Sequence, residues 1–203
     1  MAPCVDVSFH VAAGASYVLV GRAGAGKAAV RRCLRGDLRP KEGRIAVFGL
    51  DPRRERREIA RRIRSGELVV SEERFEPTGG ATATIVATVS DPALAALADR
   101  VGFLSEGRLV LEDTVATLTA RFRRLRYANE ITENRTEYGT ELDEFDAVRV
   151  KVRGSRVEAV VSNFDEALFE RLRGIEGVSE VRADTMTIAE IFKAVVGGPA
   201  GEI

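Results

Sequence analysis

The order of apolar and polar positions divides the chain into short blocks. Val5-Asp6-Val7-Ser8-Phe9-His10-Val11 alternates strictly, which predicts a half-buried strand. Tyr17-Val18-Leu19-Val20 and Thr84-Ile85-Val86-Ala87-Thr88-Val89 are nearly continuous apolar runs, the pattern of strands covered on both faces. Glu67-Leu68-Val69-Val70 predicts a further strand. After the first apolar run, Val30, Cys33, Leu34 and Leu38 recur at helical spacing, with Arg31, Arg32 and Arg35 on the opposite face, until Pro40 ends the helix. Residues 43–49 read as a short strand between glycines. Asp51-Pro52 reads as the capped start of a helix that runs to Arg64. Asp91-Pro92 opens a shorter helix through Arg100, and residues 101–104 and 108–111 flank Ser105-Glu106-Gly107 as hairpin arms.

The pattern changes in the last third. Residues 114–125 predict a helix ending in several arginines, and 127–146 are rich in Asn, Thr and Glu with little apolar periodicity, which predicts a linker. Beyond it lie alternating strands at 147–152 and 156–161, joined through Gly154-Ser155. Phe164, Leu168, Phe169 and Leu172 form a helical stripe, residues 178–181 a third strand, and Ile188, Ile191, Phe192, Val195 and Val196 a terminal helix. The expected organisation is therefore 1–126 as an α/β domain, 127–146 as a linker, and 147–203 as a small α+β domain. Strands alternating with helices in the first part imply a parallel sheet with helices on both faces, a three-layer arrangement.

Charge alters this picture little. The 31 basic and 31 acidic residues cancel, so no global field recruits nucleic acid or an anionic membrane. Cys4 and Cys33 have neither metal nor redox spacing. No apolar segment approaches the ~20 residues needed to cross a bilayer, so membrane association is expected to be peripheral, through a partner. The arginines at 53, 54, 56, 57, 61, 62 and 64 form a basic run that Glu55 and Glu58 partly offset; it reads as a solvated helix face or a contact surface for an acidic partner or a phosphate. Only four basic residues are lysines, and one of them, Lys27, stands where lysine chemistry is demanded.

That place is Gly21-Arg22-Ala23-Gly24-Ala25-Gly26-Lys27, between an apolar strand and an amphipathic helix. Strand, glycine loop, lysine and helix make a phosphate cradle. Backbone N–H groups of the loop point at the anion, the helix dipole adds positive potential, and the lysine reaches the outer phosphates. Gly21, Gly24, Ala25, Gly26, Lys27 and Ala28 are the candidate nucleotide-binding residues. Residue 28 is alanine where the full pattern has a Ser or Thr hydroxyl that holds Mg²⁺.

Together with Leu38-Arg39-Pro40-Lys41-Glu42-Gly43-Arg44-Ile45, Phe48-Gly49-Leu50-Asp51-Pro52, Val89-Ser90-Asp91, Leu97-Ala98-Asp99-Arg100-Val101 and Glu106-Gly107-Arg108-Leu109, this loop resembles the ATP-binding subunits of ABC transporters. Met186-Thr187-Ile188-Ala189-Glu190-Ile191-Phe192 resembles the C-terminal extension of exporter-type subunits. The resemblance implies a P-loop sheet domain, ATP or ADP as ligand, a membrane subunit as partner, and dimerisation with a second copy or an intact ATPase, at the cytoplasmic face of a membrane. The sequence departs from the family at several points. Ala28 lacks the hydroxyl, and there is no glutamine anywhere in the chain. Phe75 stands where a metal-binding Asp belongs if Phe75-Glu76-Pro77-Thr78 is matched to the family's Asp-Glu-Pro-Thr turn. Glu76 is then the candidate catalytic base, with Glu72 and Glu73 as alternatives. Ser90 replaces the switch histidine. The stretch between Ile63 and Phe75 is too short for the helical subdomain that carries the signature motif.

These departures lead to the expectation of a degenerate, truncated P-loop ATPase domain. It would bind ATP or ADP weakly, make little use of Mg²⁺, hydrolyse little, and serve as a structural or regulatory half of an exporter. The alternatives are an assembly module with a relic P-loop and an active ATPase with non-standard residues.

Overall fold

The computed structural model describes residues 6–75, 83–130 and 140–197, and divides the chain into two compact units between Val115 and Ala116. The first unit is built on a five-stranded sheet. Strands β1 (Ser16–Gly21), β2 (Leu68–Glu72), β3 (Thr84–Val89), β4 (Arg100–Ser105) and β5 (Arg108–Thr114) take the order β2-β3-β1-β4-β5. The first four neighbours are parallel, and β5 closes one edge antiparallel to β4. Both continuous apolar runs became interior strands. Every residue of β3 is buried, as are Tyr17 to Gly21 of β1, because the sheet is covered on two sides. Helix α1 (Lys27–Leu34) turns Ala29, Val30 and Cys33 inward. Helix α2 (Arg56–Ser65) buries Ile59 in a cluster with Val47, Leu68 and Val70.

Four expectations change in this unit. Val7, Phe9 and Val11 do face the core, and Phe9 stacks on Tyr17 with ring centroids 4.6 Å apart. Val5 lies outside the described residues; among residues 6–11 only Asp6 bridges to Arg108 of β5, so the alternation there records a packed face rather than a ladder. Residues 43–49 likewise reduce to a single bridge between Val47 and Leu50. Asp51 does accept from the Arg53 N–H (2.9 Å), but regular helix begins only at Arg56, after a turn held by Glu55 N–H donating to Asp51 O. On α2 the arginines are largely matched. Arg61 and Arg62 pair with Glu58 and Glu67, and their hydrogen bonds, that of Arg61 first, hold the half-buried Glu58 carboxyl down at about 2. Asp91 caps a 3-10 turn (Pro92–Leu97) instead of a helix reaching Arg100.

The second unit carries a four-stranded antiparallel sheet, order β7-β8-β6-β9, from β6 (Arg123–Asn129), β7 (Ala147–Arg153), β8 (Arg156–Val161) and β9 (Val178–Thr185). Its core joins Leu125, Tyr127, Ala159 and Val161 to Phe169 and Leu172 of α4 (Glu166–Arg173). Helix α5 (Ile188–Val196) starts with a capping box in which Thr187 and Glu190 satisfy each other's backbone N–H.

Here the expected helix over 114–125 stops early. Helix α3 (Val115–Arg121) ends before Arg123, where β6 begins. Residues 127–129 of the expected linker are the end of β6, and Leu142 and Phe145, on a 3-10 turn (Thr140–Phe145), are buried in the core. The arginine-rich end of the helical pattern is a strand because β8 and β9, far along the chain, supply ladders on both its sides.

Candidate functional site

β2, β3 and β1 are parallel neighbours, so their carboxyl ends share one edge of the sheet, the edge at which open α/β sheets present ligands. Three segments leave it: the loop after Gly21, Ser90 after β3, and Glu73 after β2. At Gly21 a Cβ would stand 2.8 Å from Leu104 O and 3.0 Å from the Ala25 Cβ, so the loop can fold back only over a residue without one. The loop is tied down by Gly107 N–H donating to Ala25 O (3.0 Å). Gly24 and Gly26 take φ of 83° and 108°, and Gly26 is the N-cap of α1. A Cβ at Gly24 would meet nothing within 4 Å, which leaves the mouth of the loop open. A left-handed turn followed by a helix N-terminus is an anion-binding geometry.

Lys27 is the first residue of α1 and is only 9% exposed. Its ammonium donates to Gly21 O (2.5 Å) and to Ser90 Oγ (2.7 Å). Ser90 passes the contact on: its hydroxyl donates to Glu73 Oε1 and its N–H to Oε2, each at 2.7 Å. Glu73 Oε1 itself lies 3.8 Å from the Lys27 ammonium. Burial lowers the pKa of Lys27, against the pull of Glu73 and Glu72. Burial pushes Glu73 up, but the two hydrogen bonds from Ser90 and the charges of Lys27 and Arg31 outweigh it, so its carboxyl stays below the usual range. Beside this chain Arg31 pairs with Glu72 (2.6 Å) and donates to Thr88 Oγ1 (3.2 Å). Both carboxylates at the edge are thus engaged by cations.

The structure brings Gly21, Gly24, Ala25, Gly26 and Lys27 together as one loop, with Ala28 the second residue of α1, its methyl half-buried. Glu76 lies outside the described residues. Of the alternative acids, Glu73 is coupled to Lys27 and Glu72 to Arg31. The link through Ser90 is not legible in the sequence, although one signal points to it: Ser90 directly follows the apolar run of β3 and Glu73 directly follows β2, and the ends of neighbouring parallel strands meet. His10 is solvent-exposed and away from these contacts.

A phosphate group fits this loop, since the backbone supplies N–H donors and Lys27 a cation at its base. A hydrated Mg²⁺ finds a methyl at residue 28 and carboxylates already engaged by Lys27 and Arg31.

A stretch of 46 residues, 23% of the chain, is 46% identical to the methionine import ATP-binding protein MetN 2 of Salmonella choleraesuis (strain SC-B67) and spans only 14% of that relative's length. Among solved structures, an ATP binding subunit of an ABC transporter is similar at TM-score 0.46 and 16% identity, over 57% of this chain and 85% of that one. A bacterial Atm1-family ABC exporter with ATP bound is similar at TM-score 0.46 and 17% identity, over 57% of this chain and 36% of that one. The sequence profile of the ABC transporter family matches residues 4–119, more than half of the chain. With that match falling on the P-loop and the sheet that carries it, the chain belongs to the ABC transporter family, as an ATP-binding domain.

Proposed function

We propose that this chain is a degenerate ATP-binding subunit of an ABC exporter, one that binds nucleotide weakly and contributes structure or regulation rather than turnover. The observation that carries this reading is the state of Lys27. Its ammonium is held by Gly21 O, Ser90 Oγ and Glu73 at the base of the loop, so an incoming phosphate must compete with a carboxylate for it. Bound MgATP would supply a γ-phosphoryl group whose charge the metal neutralises. Of the groups that hold such a metal, residue 28 offers none. The backbone at Gly24, Gly26 and Lys27 would still hold the phosphates without it.

Two further features support loss of turnover. Only Gly66 and Glu67 separate α2 from β2, which leaves no room there for a helical subdomain. Ser90 occupies the switch position with its hydroxyl committed to Glu73. Phosphoryl transfer depends on positioned charge, and each absent part costs orders of magnitude in rate. In this reading the working complex pairs the chain with an intact ATPase or a second copy, on the cytoplasmic face of a membrane subunit, and no nucleic acid takes part. The C-terminal unit serves as the exporter-type extension.

Calorimetry with ATP and ADP, with and without Mg²⁺, tests the reading. The expected result is weak binding of both, little changed by Mg²⁺ and abolished in Lys27→Ala. A strong Mg²⁺-dependent preference for ATP, or hydrolysis that disappears with Lys27, would overturn it. The internal neutralisation of Lys27 also favours a second reading, a pure assembly module. Complete failure of the wild-type chain to bind either nucleotide would select that one.

A further inference from the structure

The two faces of the β7-β8-β6-β9 sheet differ sharply. One packs Leu125, Tyr127 and Val157 into the core. Alternation sends Arg126 to the other face, together with Lys151 and Arg153 of β7, Arg156 of β8 and Arg182 of β9. All five are exposed, and they line a depression of about 480 Å³ whose acids are Glu158 and Glu180. Farther along β6, Arg124 is engaged by Glu190 of α5 (2.9 Å).

Arginine is abundant in this chain, so number alone means little. Placement means more. The register sets Arg153 directly opposite Arg156, and Arg126 directly opposite Arg182. Like charges at such positions destabilise a sheet. On α2, by contrast, Arg61 and Arg62 each have carboxylate partners. In the depression only Arg126 is matched, by Glu158 (3.2 Å) and Asp184 (2.9 Å). Lys151, Arg153, Arg156 and Arg182 make no ion pair among the described residues. The register also sets Lys151 opposite Glu158, yet five cations face only two lining acids, Glu158 and Glu180, so positive charge converges on one concavity in a chain whose net charge is zero.

We propose that this depression is a second anion site, for a phosphate-bearing ligand. Guanidinium forks match phosphate oxygens two at a time, and an ammonium beside them adds a point charge. Four unmatched cations exceed what one carboxylate can neutralise, whereas a diphosphate or a clustered phosphate headgroup carries several charges in a small volume. The size of the depression lies within the range of small-ligand sites. The phosphate can belong to a soluble ester or to a lipid headgroup; the recognition chemistry is the same. The site is independent of the P-loop reading.

The experiment uses the full chain carrying Lys27→Ala, which silences the P-loop. Binding of inorganic pyrophosphate is measured by calorimetry at low salt, and binding of phosphatidylglycerol-containing against phosphatidylcholine vesicles by co-sedimentation. Pyrophosphate binding assigns a soluble ligand, and retention on phosphatidylglycerol vesicles alone assigns a headgroup. Either should weaken about tenfold or more in Arg153→Gln/Arg156→Gln/Arg182→Gln and weaken with added salt. Without ligand the triple variant should melt no lower than its parent, because two like-charge pairs are gone. Should it fail to fold, Arg156→Gln alone carries the test, with Arg156→Lys expected to restore part of the binding. Absence of binding in both assays, or binding that survives the substitutions, overturns the proposal. Binding of polyglutamate in place of both phosphate probes also overturns it, in favour of an acidic polypeptide.

Discussion

At the scale of single residues, Glu73 should govern the anion affinity proposed for the P-loop. Its carboxylate neutralises the lysine that an anion needs, so Glu73→Gln should raise sulfate affinity several-fold while Lys27→Ala removes it; calorimetry reads both. The pH dependence follows from the same contact. Because the folded-state pKa of Glu73 is depressed, the stability it contributes is present above the ordinary carboxylate range and is lost as pH falls through the folded value. Over that same fall Lys27 loses its partner. Sulfate binding should therefore strengthen on acidification in the wild type and stay flat in Glu73→Gln. A second residue-scale prediction concerns Tyr17, whose buried hydroxyl has no hydrogen-bond partner among the described residues and whose pKa burial drives upward. Tyr17→Phe should be neutral or stabilising, since it removes an unsatisfied polar group. A Cβ on Gly102 would stand 2.1 Å from that hydroxyl, so Gly102→Ala should cost about 1–3 kcal/mol, and Tyr17→Phe should recover part of it in a thermal-melt double-mutant cycle.

At the scale of elements, ends and joins decide more than interiors. Helix α5 depends on Thr187 and Glu190, and Glu190 also holds Arg124 of β6. Thr187→Ala should lower stability by about 1 kcal/mol in urea titration. The Glu190 pKa is lowered first by the N–H and hydroxyl of Thr187 and then, against burial, by Arg124. Its contribution is thus also lost as pH falls through its folded value, and Thr187→Ala, which keeps the N–H but removes the hydroxyl, should make that part of the acid melt shallower. The join between α2 and β2 shows why the first unit is small: a left-handed Gly66 (φ 81°) ends the helix and the next strand starts at once.

At the scale of the whole chain, each unit has an apolar core of its own. The strand β6 is interior in the second sheet, between β8 and β9. A fragment of residues 116–203 should therefore fold alone, with a cooperative thermal transition, whereas 147–203 should not, because it lacks the strand that joins β8 to β9. Circular dichroism of the two fragments decides the matter. A folded 147–203 would show that β6 is dispensable to the sheet.

The sequence by itself determined what is local. A strand, a glycine loop, a lysine and a helix are contiguous, so the cradle from Gly21 to Ala28 and the core strands β1 and β3 were legible from pattern and spacing. So were the hairpin β4–β5, the strands β7 and β8, and the helices α4 and α5, each set by its own periodicity and turn residues. Tertiary structure decided whatever needed a distant partner. Ser90 lies 63 positions from Lys27, and only the parallel register of β2, β3 and β1 brings Ser90 and Glu73 to the lysine. The arginine-rich residues at 123–126 became a strand because ladders on both sides outweigh a local helical pattern. Among residues 6–11 the alternation did not become one: it specifies which side chains face the core, while only Asp6 pairs with the edge strand β5. Periodicity fixes a segment's inward face; the segments that meet it fix its hydrogen bonds, and with them the chemistry of the loop at Lys27.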